Sequence, residues 1–83
     1  MPFTVYIIQS EFDGTLYTGH TNNVVNRLQR HNDGKARYTK PKRPWKLVYT
    51  EEFPSRAEAM QRETELKSFH RKDLLMQIIN TTG

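Results

Sequence analysis

The segment Tyr17–His31, with the sequence YTGHTNNVVNRLQRH, decides the fold of this chain. Its first residues, up to Gly19, predict a short strand, and a polar turn follows. The rest predicts a helix that runs to about Asp33 and stops at Gly34. Arg27 and His31 are four residues apart, so they point the same way from successive turns of this helix. The helix is expected to present Val24, Val25 and Leu28 on one face, with Thr21 or Asn22 as its N-cap.

A β-hairpin is predicted before this helix. Thr4–Ser10, TVYIIQS, is rich in β-branched and aromatic residues and carries apolar groups on both faces, which predicts a strand covered on both sides. Glu11–Gly14 is a turn, and Thr15–His20 is the return strand. The register that follows places Ile8 opposite Tyr17 and Tyr6 opposite Gly19, so that Tyr6 and Tyr17 share one face of the sheet.

One strand and two helices are predicted in the second half of the chain. Trp45–Phe53 is typical of a strand, with Leu47, Tyr49 and Phe53 expected on one face. Ser55 and Glu58 have the spacing of a capping box, which predicts the start of a second helix. A last helix over about Lys72 to Asn80 is expected to pack through Leu74, Leu75, Ile78 and Ile79.

Length and composition limit the class of protein. With 83 residues, a single domain over residues 1–83 is expected. The chain has no cysteine, which excludes disulfides and thiolate metal sites. No apolar run approaches the roughly 20 residues that span a bilayer, and no signal peptide is visible. A soluble cytoplasmic protein with no membrane partner is therefore expected.

The positive charge is concentrated in one segment. Lysine and arginine number 13 against 9 acidic residues, yet none of the acidic residues falls between Gly34 and Thr50. Basic residues with interleaved aromatic rings suit a phosphate backbone with accessible bases, whereas the plainer interpretation is a solvated basic loop. The candidate nucleic-acid-binding residues are Lys35, Arg37, Tyr38, Lys40, Lys42 and Arg43. Trp45 is interpreted as a core residue or loop anchor.

An acidic residue is predicted to face the core. The apolar stripe of the second helix comprises Ala59, Met60 and Leu66, and Glu63 falls in its middle. A carboxylate facing a core without a partner costs several kcal/mol. Glu63 should therefore have a cation opposite it, which could be a metal ion or a side chain such as Arg27 or Lys67.

Together these motifs resemble the GIY-YIG nuclease family over about residues 3–70. Thr4-Val5-Tyr6 stands at the first motif and Tyr17-Thr18-Gly19 at the second, followed by a helix with an arginine and a histidine. The segment from Gly34 to Lys67 resembles the small stand-alone bacterial branch, which is similar to the catalytic N-terminal domain of the excision-repair nuclease. The chain departs from the family at Thr4, Val5 and Thr18, and His20 stands where repair-type relatives often carry a lysine.

The resemblance implies an α+β fold in which helices flank a small three-stranded antiparallel sheet. It also implies phosphodiester hydrolysis with one divalent metal ion, magnesium or manganese. Glu63 matches the metal-ligand glutamate, and Arg27 matches the arginine that holds the scissile phosphate. Tyr6 and Tyr17 match the two site tyrosines, and His31 matches a histidine found in many members. We favour Tyr6 as the group that activates water, with Tyr17 positioning phosphate or water.

Three functions remain open at this point. The first is a metal-dependent endonuclease with a role in repair, acting on DNA rather than RNA, in a branched, damaged or single-stranded form. The second is a non-catalytic nucleic-acid-binding module that retains the fold, and the third is a partner-recruiting domain that needs another subunit for catalysis. Taken singly, each candidate also has a structural interpretation: Tyr6 and Tyr17 as strand aromatics, Arg27 as a solvated charge, His31 as a structural histidine and Glu63 as an ion-pair partner.

Overall fold

The computed structural model describes residues 2–68 and 72–82, with side chains over residues 2–68 and 75–80. Three antiparallel strands form one sheet with the first strand of the chain in the middle, which confirms the α+β class with a three-stranded sheet. Among the described residues, no helix has the length and apolar character needed to cross a bilayer. The elements are β1 (Phe3–Ser10), β2 (Leu16–Thr21), α1 (Val24–Asn32), β3 (Trp45–Phe53), α2 (Arg56–Lys67) and α3 (Lys72–Thr82).

Strand β1 is the centre of the molecule and is covered on both faces, as its sequence predicts. Val5 and Ile7 pack on one side against Leu66 of α2 and other residues of α2 and α3. Tyr6 and Ile8 pack on the other side with Trp45 and with residues of α1. The sheet therefore separates α1 from α2, and each face of β1 has its own hydrophobic cluster.

The predicted hairpin register is confirmed. Ile8 pairs with Tyr17 and Tyr6 pairs with Gly19, so the two tyrosines emerge on the α1 face. Strand β1 begins one residue earlier than predicted, at Phe3, and β2 is shifted by one residue at both ends, to Leu16–Thr21. The turn between them is closed by a hydrogen bond from Gly14 N–H to the Ser10 carbonyl.

The predicted face of β3 is wrong at Leu47. The strand has the predicted bounds, but its pairing with β1 shifts between Ile7, which faces Tyr49, and Ile8, which faces Leu47. The extra residue, Val48, is a β-bulge, and a bulge reverses the side of the sheet to which later residues point. Leu47 consequently lies on the α1 side and is 39% exposed, whereas Tyr49 packs with the α2 cluster.

Two details of α1 differ from the prediction. The N-cap is Asn23, whose side chain accepts from Asn26 N–H at 3.0 Å, because Thr21 still belongs to β2. Val25 points to solvent with 75% exposure, whereas Val24 and Leu28 pack on the sheet. The helix ends before Gly34, whose φ of +77° explains why glycine stops it there.

Helix α2 begins at the predicted capping box. The Ser55 hydroxyl accepts from Glu58 N–H and donates to the Glu58 carboxylate. The predicted stripe is right for Ala59 and Leu66 but wrong for Met60, which lies beyond the contact face and is 47% exposed. In α3, Leu75 is buried and Ile78 and Ile79 pack on the same cluster. The Leu74 side chain lies outside the described residues.

The basic segment, Lys35–Pro44, is joined to the body of the protein where it meets β3. Asn32 at the end of α1 accepts from Trp45 N–H at 2.6 Å and donates to the Trp45 carbonyl at 3.0 Å. The buried Trp45 indole donates to the Thr39 carbonyl at 2.9 Å, so this residue is both core and loop anchor. The segment is a loop except for one 3-10 turn at Lys40–Lys42, which tolerates a proline near its start because the N–H of that position would have no partner.

Candidate active site

A buried chain of hydrogen bonds connects β1 to the basic segment. The Tyr6 hydroxyl lies 3.1 Å from His31 Nε2, and His31 Nδ1 lies 2.7 Å from Thr39 Oγ1. All three residues are at most 2% exposed. The Thr39 hydroxyl donates to the Ala36 carbonyl at 3.4 Å. A lone pair of the hydroxyl oxygen is then available to accept a hydrogen bond from Nδ1–H of His31. We infer from this network that Nδ1 carries the imidazole proton and that Nε2 accepts from the Tyr6 hydroxyl.

The charge states of this chain follow from its burial. Burial lowers the pKa of His31, and the nearby Arg27 and Arg30 charges lower it further. The imidazole is therefore neutral at neutral pH, as the hydrogen-bond assignment requires. Burial, helped by Tyr17, raises the pKa of Tyr6 to about 12, although Arg27 offsets part of the rise. Tyr6 is thus a protonated phenol that donates to a neutral imidazole.

Gly19 makes room for the Tyr6 hydroxyl. A Cβ at position 19 would lie 2.5 Å from the hydroxyl oxygen of Tyr6 and 2.7 Å from its ring carbon Cζ. Neither distance is compatible with an ordinary van der Waals contact. Any residue other than glycine would therefore displace the phenol from His31.

Tyr17 lies at the mouth of the site among other rings. Its ring centroid is 5.2 Å from His31 in an edge-on arrangement, 5.8 Å from Tyr38 and 6.4 Å from Trp45. Unlike Tyr6, it is only partly buried. The two tyrosines are therefore placed differently, one inside the site and one at its surface.

Glu63 faces inward, as predicted, and its hydrogen-bond partners are side chains. Its Oε1 lies 2.5 Å from His20 Nδ1, and its Oε2 lies 2.7 Å from the Lys67 ammonium. The side chain is 17% exposed. Burial opposes ionisation, but the hydrogen bonds from Lys67 and His20 outweigh it, so the pKa of Glu63 lies below its usual range. The acid is therefore an ionised, doubly hydrogen-bonded carboxylate.

The five predicted residues lie near one another around β1 and the edge strand β2. Helix α2 lies on the face opposite the tyrosines, but Glu63 reaches β2, the edge strand, at His20. Its charge contributes to the raised pKa of Tyr6, and the Lys67 ammonium lies 5.8 Å from the Tyr17 ring centroid. The residues gathered here are Tyr6, Tyr17, Arg27, His31 and Glu63.

The donor set around Glu63 suits a cation held by a single carboxylate. No group of three or more His, Cys, Asp or Glu side chains that could hold a metal occurs in the described part of the chain. A hard divalent ion such as magnesium keeps much of its water shell and needs few protein ligands. The Lys67 ammonium already occupies one cation position on Glu63, and this lysine is 50% exposed and flexible enough to move away. These residues fit a metal shared with phosphate and water.

The predicted nucleic-acid-binding residues differ in how freely they face solvent. Lys35, Arg37 and Lys40 are exposed, and Tyr38 is 67% exposed. Lys42 instead pairs with Asp13 at 2.8 Å, which ties the segment to the β1–β2 turn. Arg43 donates from Nε to the Lys40 carbonyl at 2.9 Å and from a terminal nitrogen to the Asn32 carbonyl.

Sequence reasoning missed Thr39 and His20, and it predicted Lys67 only as a partner of Glu63. Thr39 has no sequence signal, since its role depends on how the basic segment folds back on His31. Lys67 is four residues after Glu63, a helical spacing that predicts their contact but not the proximity to Tyr17. His20 follows the second motif directly, but its contact with Glu63 depends on how α2 packs against β2, which the sequence does not show.

Comparison with known proteins identifies the family of this chain. The GIY-YIG catalytic domain family matches residues 2–77. A UPF0213 protein of Staphylococcus haemolyticus is 52% identical over 75 residues, 89% of this chain and 90% of the relative. One from Staphylococcus saprophyticus is 44% identical over the same shares. The solution NMR structure of a UPF0213 protein from Bacillus halodurans has a TM-score of 0.64 and 39% identity, covering 100% of this chain and 87% of that one. The chain belongs to the GIY-YIG catalytic domain family.

Proposed function

We propose that this chain is a divalent-metal-dependent endonuclease that hydrolyses phosphodiester bonds in DNA, in a branched, damaged or single-stranded form. The observation that carries the proposal is the phenol of Tyr6 donating to a buried neutral His31, within range of the Arg27 and Glu63 charges. A buried structural tyrosine needs one hydrogen-bond partner for its hydroxyl, but it needs neither a guanidinium nor a carboxylate nearby. Family membership adds independent support.

Tyr6 activates water by passing its own proton to His31. A phenol whose pKa is about 12 carries its proton at neutral pH and cannot serve as a base while it does. His31 Nε2 has a free lone pair 3.1 Å from the hydroxyl, so it can take that proton as Tyr6 takes one from the attacking water. Thr39 holds the imidazole in the tautomer that makes this transfer possible.

Arg27 and Glu63 act on the phosphate and its counter-ion. The Arg27 guanidinium presents fixed donors suited to a phosphate and stabilises the negative charge that develops on it. Glu63, once Lys67 moves away, would hold magnesium or manganese, whose charge would stabilise the same transition state. Tyr17, at the mouth of the site, positions phosphate or water.

Nicking assays on a panel of substrates test the proposal. Purified protein is incubated with duplex, single-stranded, flapped and junction DNA and with RNA, with and without magnesium or manganese. Glu63→Gln and Arg27→Ala are expected to lower metal-dependent nicking at least about 100-fold, as loss of a transition-state charge partner does. Glu65→Gln is the matched control, since Glu65 is on the same helix but is 57% exposed. Nicking that survives Glu63→Gln, or no cleavage of any substrate, would contradict the proposal.

One observation favours a second candidate, a non-catalytic nucleic-acid-binding module. Both Glu63 oxygens already have side-chain partners in His20 and Lys67, so the carboxylate is satisfied without a metal. Titration with magnesium or manganese while following amide NMR shifts near Glu63 separates the two functions. The nuclease predicts saturable shifts there, and the binding module predicts none.

A further inference from the structure

We propose that the cleft beside Tyr17 binds one unstacked nucleobase and that Tyr38 is its stacking surface. This inference rests on the proposed nuclease function and adds a substrate class, a nucleic acid with an unpaired nucleotide next to the scissile phosphate. The cleft has a volume of about 440 Å³ and opens along the edge of β2. The residues that carry the argument are Leu16, Tyr17, Tyr38, Leu66, Lys67 and Leu75.

The chemistry of the cleft suits a flat heteroaromatic ring. Tyr38 is a large aromatic residue that is 67% exposed, and its ring lies 5.8 Å from that of Tyr17 at a 37° tilt. This tilted arrangement leaves much of the Tyr38 ring open for stacking. Aliphatic residues supply the rest of the apolar lining, and the Lys67 ammonium supplies a donor near Tyr17. Aromatic stacking with one cation is how proteins hold unpaired bases without reading their sequence.

Charge and position indicate which strand the cleft would accept. Tyr38 lies between Arg37 and Lys40, both exposed, so phosphates on either side of a stacked base would meet positive charge. Tyr17 belongs both to the cleft and to the site around His31, which places the base next to the reacting phosphate. A base inside a duplex has both of its faces covered, so only an unpaired or extruded base can stack here.

Binding measurements without metal test the cleft separately from catalysis. The ligands are a short oligothymidylate and an abasic oligomer of equal length and charge, each followed by fluorescence anisotropy in EDTA. The wild-type chain is expected to bind the strand with bases about 5- to 150-fold more tightly, the range given by one aromatic–base stack. Tyr38→Ala should lose most of this preference, and Tyr38→Phe should restore it.

A charge variant separates stacking from electrostatic attraction. Lys40→Ala is expected to weaken the binding of both oligomers by the same factor, because it removes a positive charge and leaves the aromatic rings in place. Equal affinity of the wild-type chain for the two oligomers would overturn the proposal, as would an undiminished preference in folded Tyr38→Ala. The comparison of the two oligomers on the wild-type chain tests the proposal even if Tyr38→Ala does not fold. A preference for the oligomer with bases, without any nicking, would contradict only the proposed nuclease function. Nicking without that preference would contradict only the proposed base-binding cleft.

Discussion

The Tyr6 phenol fills the space that a side chain at position 19 would need, so substitution of Gly19 is a sensitive test of the site. The Cβ of Gly19→Ala would lie 2.5 Å from the Tyr6 hydroxyl. Such overpacking costs about 1–3 kcal/mol of unfolding free energy and should also move the phenol away from His31. Urea unfolding and nicking assays measure the two effects. Combining Gly19→Ala with Tyr6→Leu, which lacks the ring, should cost less stability than the sum of the single changes; strict additivity would contradict this account.

The Thr39 hydroxyl is expected to matter for the tautomer of His31. Thr39→Val keeps the shape but leaves a buried Nδ1–H without an acceptor, which costs about 1–3 kcal/mol. Nicking should fall as the imidazole loses its fixed proton position. Imidazole ¹⁵N shifts report the tautomer directly. Thr39→Ser retains the hydroxyl and should behave like the wild type; equal losses in both variants would contradict a role for the hydroxyl.

The lowered pKa of His31 predicts the direction in which stability changes with pH. Burial and the Arg27 and Arg30 charges keep the folded pKa below the value of about 6.5 for an unfolded chain. Between these two values the unfolded state binds more protons, so stability is present above about pH 6.5 and is lost as pH falls toward the folded pKa. The slope from one such group is at most about 1.4 kcal/mol per pH unit. Thermal unfolding of the wild type from about pH 7.5 to 5 should show a steeper decline than His31→Gln, and parallel curves would contradict the assignment.

At the scale of elements, Asn32 connects the end of α1 to the start of β3. Its side-chain amide accepts from the Trp45 N–H and donates to the Trp45 carbonyl. One side chain therefore holds the point at which the basic segment ends and β3 begins. Asn32→Ala should cost about 1–3 kcal/mol, because the Trp45 N–H loses a part-buried acceptor. Asn32→Asp keeps that acceptor and should lose less. Urea unfolding of the wild type and the two variants gives the order of their unfolding free energies. An equal loss of stability in both variants would count against the hydrogen bond to Trp45 N–H.

Local patterns predicted the elements of this fold better than their contacts. Period-two alternation and the Asp-Gly turn were sufficient for the β1–β2 register, because a hairpin pairs neighbours in the chain. The bulge at Val48 changes the direction of Leu47 through pairing with a distant strand, which no local pattern contains. Glu63 was predictable from helical spacing, whereas its partner His20 was not, since that contact depends on how α2 crosses β2.

Across the whole molecule, the distribution of free positive charge should govern how binding depends on salt. Lys40 is exposed, whereas Lys42 is already paired with Asp13. Lys40→Ala is therefore expected to reduce the slope of log affinity against log salt by about 0.7 for a single strand, and Lys42→Ala by less. Anisotropy titrations at several salt concentrations measure both slopes. An equal reduction in the two variants would show that the pair opens on binding.

The adjacency of Tyr38 and Thr39 in one short loop has a mechanical consequence. Thr39 is buried against His31, whereas its neighbour Tyr38 projects outward beside Tyr17. Consecutive Cα atoms are held about 3.8 Å apart, so a loop that moves as a whole would carry the Thr39 hydroxyl away from His31 and the Tyr38 ring away from Tyr17 together.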